Sequence, residues 1–186
     1  MPLEFVTPEQ RQLGKTINFS ILYGLTPFGL SQDLGITLGQ AKEYIERYFA
    51  QYPAVATWMD SIIALTKEKG YVTTHWGRRR YVPGINEKNQ NLFAAAKRIA
   101  INTVAQGTAE EIVKWGMLAV DKVLHKKGLK AVVVLQIHDE LLLEVPEHEL
   151  SETIQAVKTA LETVVDWQPG LVMQLRHGKN WQEVTK

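Results

Sequence analysis

Arg11, Lys15, Phe19 and Tyr23 recur at every fourth position of QRQLGKTINFSILYG, which places two cations and two aromatic rings along one side of a single helix. Thr7-Pro8-Glu9-Gln10 writes the start of that helix: a hydroxyl at the N-cap, a proline in the first turn and a capping-box partner three residues on. Arg11 and Lys15 then lie close to the N-terminus, where each opposes the helix dipole by roughly 0.3 to 1 kcal/mol unless an anion sits between them and the free amides. A triphosphate is such an anion. A nucleobase stacked on one of the rings gains on the order of 1 to 3 kcal/mol irrespective of its identity. Leu13, Ile17 and Ile21 fall nearly opposite and predict an aliphatic stripe that seats the helix on a core. The same spacing also describes an amphipathic helix whose rings only pack, and the helix alone does not choose between the two.

A second chemical cluster lies at His138, Asp139 and Glu140, between the apolar runs Ala131 to Ile137 and Leu141 to Val145. Two buried antiparallel strands meeting in a tight turn would hold these carboxylates rigidly, and rigid oxygen ligands suit Mg²⁺, which takes one or two carboxylates together with phosphate and water. An acidic tip that merely solvates a hairpin fits equally. The His-Asp pair of metal phosphohydrolases is disfavoured because it lies on helices, whereas these flanks are strand-like. Arg98, Asn102 and Gln106 also step by four, so their donors share one face; the spacing describes an exposed polar stripe first, and it also fits the acceptors of the DNA minor groove, which barely distinguish A·T from T·A. Arg78 to Arg80, three basic residues at a hairpin end, fit a solvated tip as well as phosphate contacts.

The elements that must position these groups can be read in order. Leu25 to Ile36 predicts turns around a short helix near Leu30 to Leu34, Thr37 opens the next helix with Gln40 as its capping partner, and Pro53 to Lys69 forms another, closed by Gly70. YVTTHW and RRYVP predict a hairpin over 71–83. Helices follow from Asn89 to about Gln106 and from Thr108 to His125, with a break at Gly107 and a Thr108/Glu111 capping box. After the hairpin of 131–145 come a helix from Glu149 to Val165 and a last strand near 171–176. The fold class is α+β, with a helical segment over 1–85 and a small antiparallel sheet packed on helices over 86–186.

Composition sets bounds and no more. The chain has 186 residues, 45% hydrophobic and 22% charged, so it can bury a core. Lys plus Arg number 21 against 20 acids, and a net charge of +1 means that any nucleic-acid binding must come from local clustering. With no cysteine, disulfides, thiolate zinc sites and cysteine nucleophiles are excluded, in keeping with a cytoplasmic protein. No apolar run approaches the ~20 residues needed to cross a bilayer, and no membrane partner is expected.

Arg11-x3-Lys15-x3-Phe19-x3-Tyr23-Gly24 resembles the fingers motif of the family A DNA polymerases, and Gln136-Ile-His-Asp-Glu140 resembles their palm motif. Gly70-Tyr-Val, Gly77 to Pro83, Arg98-x3-Asn102 with Gln106-Gly-Thr-Ala109, and Gly178-x-Asn180-Trp181 resemble further blocks of that family in the same order. The resemblance implies that Arg11 and Lys15 hold the triphosphate of an incoming dNTP and that Phe19 lies against its sugar and base, a phenylalanine there being associated with exclusion of dideoxynucleotides. Tyr23 would close the insertion site beside the templating base. Asp139 would be a catalytic metal ligand, Glu140 an acidic neighbour and His138 a contact to the primer end. Arg98, Asn102, Gln106 and Gln136 would touch primer-template DNA. The implied chemistry is attack of a primer 3′-hydroxyl on the α-phosphate assisted by two Mg²⁺ ions.

Several positions depart from the family pattern. Gln12 stands where a second arginine is frequent, Lys97 where an acid is usual, and Ser20 where glycine is frequent. The family's other palm motif, whose strand supplies a second metal-binding aspartate, is not among these residues, nor are thumb or exonuclease regions. A C-terminal piece of a polymerase, inactive by itself, is therefore expected, with its sheet edge open to a complementing N-terminal polymerase fragment or to a second copy. A rival is a helix-turn-helix DNA reader over Leu30 to Tyr48. Its second helix exposes Gln40, Lys42, Glu43, Glu46 and Arg47, a mixed face poorly suited to a phosphate-lined groove.

Overall fold

Residues 5–184 are described in the computed structural model of the chain. They fall into two compact units divided between Thr108 and Ala109, a boundary inside one long helix.

The first unit opens with α1 (Pro8–Leu22), where Thr7 and Gln10 exchange the two hydrogen bonds of a capping box: Thr7 N–H donates to Gln10 Oε1 (3.0 Å) and Gln10 N–H to Thr7 Oγ1 (3.3 Å). Its aliphatic stripe is only partly used. Ile21 is buried and Ile17 half-buried, but Leu13 is exposed, so the C-terminal half anchors the helix and the N-terminal half projects. The second helix, α2 (Pro27–Leu34), begins earlier than its apolar residues suggest because the Thr26 hydroxyl accepts from Gly29 N–H. Then come α3 (Leu38–Gln51), capped by Thr37 and Gln40, and α4 (Pro53–Lys69), ended by left-handed Gly70. Strands β1 (Tyr71–Thr73) and β2 (Arg79–Tyr81) pair antiparallel with Tyr71 opposite Tyr81. Ile62, Val72, Val82, Ile85, Ala96 and Ala100 form the core of this unit, so α4, the hairpin and the next helix share one apolar centre.

That next helix, α5, runs unbroken from Gln90 to Lys127. The expected break at Gly107 and the Thr108/Glu111 capping box are both absent. Gly107 instead admits the hairpin: a β-carbon there would lie 2.8 Å from Thr74 Cγ2. The Thr108 hydroxyl accepts from His75 N–H at 3.0 Å, so it ties the hairpin to the helix and starts nothing. At the true start, Asn89 Oδ1 accepts from Asn91 N–H (2.9 Å) and Leu92 N–H (3.4 Å).

In the second unit, β3 (Val132–Ile137) and β4 (Glu140–Glu144) form an antiparallel hairpin with a bulge at Val134, followed by a single 3₁₀ turn (Glu147–Glu149) and α6 (Leu150–Glu162). Val120, Leu124, Ala131 and Val157 make its core, with Val133, Leu141, Leu143 and Val145 packed against it. The strands are not buried on both sides as their apolar runs suggest, because Val132, Val134 and Leu135 are exposed on β3. The strand expected near 171–176 does not form. Leu171 and Met173 turn inward with strand-like alternation, but Met173 N–H donates to the Glu162 carboxylate (3.1 Å), a side chain taking the place of a ladder partner. A terminal turn of helix, α7 (Trp181–Val184), closes the chain. The molecule is thus α+β, largely helical with two small separate antiparallel sheets. No helix among the described residues is long and apolar enough to cross a membrane.

Candidate nucleotide and nucleic-acid site

One side of α1 lines an open cleft of about 550 Å³ bordered by Gln12, Lys15, Thr16, Phe19, Ser20, Tyr23 and Leu25. Three of the four residues singled out by their fourfold spacing share this cleft, and Arg11 stands on the same helix face one turn before Lys15. The Phe19 and Tyr23 rings stack with centroids 5.8 Å apart and planes 17° from parallel. Phe19 is 51% exposed, an apolar surface that this unit leaves uncovered. Among the described residues neither Arg11 nor Lys15 is held in an ion pair, so both charges are available to an anion. Gln12 and Thr16 were not foreseen, although their spacing of four on an adjoining row is the signal that finds them.

The end of α1 is joined to the polar row of α5 by a glycine. Gly24 has φ +72, and a β-carbon on it would sit 2.9 Å from Arg98 Cγ, so the arginine stem lies across the residue that follows Tyr23. Arg98 is exposed, Asn102 is half-buried and Gln106 is exposed, stepping by four along α5. Asn102 Oδ1 is buried and accepts no hydrogen bond among the described residues. Beside it, Thr103 Oγ1 accepts from Arg80 Nη1 (3.2 Å), and Arg79 stacks its guanidinium on the Tyr71 ring at 5.0 Å. The first unit therefore gathers the cleft, the Arg98 row and part of the arginine hairpin. The α3 face offered by the helix-turn-helix alternative carries an Arg47–Glu43 ion pair, which uses internally the cation such a reader would direct at phosphate.

In the second unit, His138 and Asp139 form the two-residue loop between β3 and β4. His138 has φ +52, the one positive φ at a non-glycine position among the described residues, at a turn position that glycine usually fills. The Gln136 side chain donates to the His138 carbonyl, which fastens this conformation. Asp139 and Glu140 are exposed at the hairpin end. As hard oxygen donors they suit a divalent cation, but among the described residues no group of three or more His, Asp or Glu converges to complete a coordination shell.

Residues 1–183 match the family model for DNA polymerase family A. The chain belongs to that family. It is 42% identical to the DNA polymerase I of Pseudomonas aeruginosa over 183 residues, which covers 98% of this chain and 20% of that protein. It is 41% identical to the DNA polymerase I of Geobacillus stearothermophilus over 180 residues, 97% of this chain and 20% of the relative. The chain thus spans about a fifth of the length of the curated relatives it matches. Among solved structures, the POL domain of Pol1 from M. smegmatis, in complex with DNA primer-template and dNTP, superposes with a TM-score of 0.90 at 34% identity, covering 99% of this chain and 32% of that one. Both the cationic-aromatic ridge of α1 and the acidic turn at His138 to Glu140 lie within the residues matched to the family.

Proposed function

We propose that this chain is the fingers and part of the palm of a template-directed DNA polymerase, fingers over 1–85 and partial palm over 86–186. This functional division assigns the first half of α5 to the palm, although that half packs compactly with the preceding helices. Arg11 and Lys15 hold the triphosphate of a dNTP, Phe19 receives its sugar and base, and Tyr23 closes the insertion site. Arg98, Asn102, Gln106 and Gln136 contact primer-template DNA, and His138 the primer end. The observation that carries this reading is the α1 cleft, where a free ammonium and two stacked rings line one opening. A neighbouring structure of this fold holds DNA primer-template and dNTP.

The reaction is transfer of a nucleotidyl group to a primer 3′-hydroxyl with release of pyrophosphate. Asp139 and Glu140 would hold Mg²⁺, which supplies charge stabilisation for the attacking and leaving oxygens of the displacement. The protein's own contribution is to position: Lys15 neutralises phosphate charge, the rings exclude water from one side of the base, and the Arg98 row grips the duplex whatever its sequence. Among the described residues no further acid or imidazole group joins these two carboxylates, which alone furnish too few ligands for a two-metal site, so the chain by itself should extend no primer. The open β3 face would then be met by a complementing polymerase polypeptide or a second copy.

The test is anisotropy of a labelled primer-template with a 5′ overhang, titrated with the chain in the absence and presence of the dNTP complementary to the first template base. The complementary dNTP should tighten binding, and Lys15→Ala should weaken that dNTP response about tenfold or more, the value of a hydrogen bond to a charged group. Binding that ignores the dNTP would assign the chain to a noncatalytic DNA-binding module, and no binding at all would overturn the proposal.

A further inference from the structure

Lys67, in the last turn of α4, and Lys97, on α5, both place their ammonium groups against one aromatic ring, that of Phe93, at 4.5 and 5.5 Å from its centroid. Phe93 is itself half-buried and packs on the core shared by α4, the arginine hairpin and α5, so the ring is a fixed post. Attraction to the negative face of the ring restrains both flexible stems. Among the described residues neither lysine has an acidic partner. Two like charges are thus held near each other with no counter-ion among the described residues, an arrangement that costs free energy until an anion arrives.

We propose that Lys67 and Lys97, steadied by Phe93, form a contact for the phosphate backbone of the bound nucleic acid, separate from the cleft of α1; this assignment rests on the polymerase function proposed above. The spacing admits a polyanion. The two nitrogens lie within about 10 Å of one another, and each strand of duplex DNA carries a charge every ~3.4 Å of axis, so one stretch of backbone can present phosphates to both. Position supports the same partner. Lys97 precedes Arg98 and stands about 100° from it around α5, which sets the lysine pair on the face beside the Arg98–Asn102–Gln106 row. A duplex whose groove meets that row passes its backbone alongside. Phosphate contacts of this type fix register and orientation without reading sequence.

The proposal predicts a change in salt dependence. Labelled primer-template is titrated with the chain, with Lys67→Gln/Lys97→Gln and with Lys67→Arg/Lys97→Arg at several salt concentrations, each protein first checked for native helical content by circular dichroism. The Gln pair should lower the steepness of log Kd against log salt by nearly 2 and weaken binding by about tenfold at low salt, because each neutralised phosphate releases ~0.9 counter-ion. The Arg pair should keep the original slope. An unchanged slope in the Gln pair overturns this contact while leaving the polymerase reading intact, as does an Arg pair that loses as much as the Gln pair. Failure of the unsubstituted chain to bind primer-template overturns the polymerase reading, and the contact with it.

Discussion

His138 shows how much a single backbone angle can disclose. At φ +52 a residue with a β-carbon is strained by roughly 1 to 2 kcal/mol, a cost that the hydrogen bond from the Gln136 side chain to the His138 carbonyl helps to offset. Glycine would relieve the strain, offset in part by the roughly 0.5 to 1 kcal/mol of extra conformational freedom it loses on folding. His138→Gly should therefore be neutral to stabilising by up to about 1 kcal/mol, read as a rise in the urea midpoint with unchanged slope, and should weaken primer-template binding. A fall in the midpoint would show that the imidazole, not its function, maintains the turn. Asp139 and Glu140 keep their place in either case, since the β3–β4 register is set by the pairs on each side, Ile137 with Glu140 and Gln136 with Leu141.

Elements were legible where their signals are local. The Thr7/Gln10 and Thr37/Gln40 capping boxes and the span Pro53 to Lys69 could be read from adjacent residues because the groups that satisfy the free amides lie within one turn. The row on α1 could be read for the same reason, a step of four being a property of one helix, and Lys15, Phe19 and Tyr23 do line one cleft. What could not be read depends on distant partners. Gly107 looks like a helix breaker until Thr74 is brought against it, and Leu171 to Arg176 looks like a strand until its ladder neighbours prove absent. Likewise, the link from Gly24 to Arg98 crosses most of the first unit.

Gly107 gives the sharpest test at this scale because two effects compete. Alanine in place of a mid-helix glycine gains about 1 kcal/mol of propensity, yet here its β-carbon would press within 2.8 Å of Thr74 Cγ2. Thr74 is buried, and its hydroxyl accepts from Arg78 N–H (3.1 Å), so the methyl cannot rotate away cheaply. Overpacking of this kind costs typically 1 to 3 kcal/mol, and Gly107→Ala should be net destabilising by about 1 kcal/mol. Thr74→Ser removes the methyl and keeps the hydroxyl. Combined with Gly107→Ala it should recover the loss and release the propensity gain, a coupling visible in a double-mutant cycle of denaturation midpoints. Strict additivity of the two substitutions would contradict the close approach.

For the whole molecule the decisive quantity is the number of hard ligands that can meet at one place. A two-metal displacement needs oxygen donors enough to fix two divalent ions a few ångströms apart, and octahedral Mg²⁺ tolerates poor geometry badly. Here Asp139 and Glu140 are neighbours on one hairpin, and no third acidic or imidazole group among the described residues joins them. Local clustering can still give DNA affinity to a chain of net charge +1, so binding and chemistry should separate. With primer-template, complementary dNTP and Mg²⁺, the 186-residue chain should bind and yet extend no primer on a sequencing gel. Addition of a polypeptide carrying the remaining four-fifths of a family A relative should restore extension, and Asp139→Asn in this chain should abolish it again. Extension by the chain alone at even a few percent of a complete polymerase would mean that Asp139 and Glu140 suffice, and the ligand count would have to be abandoned.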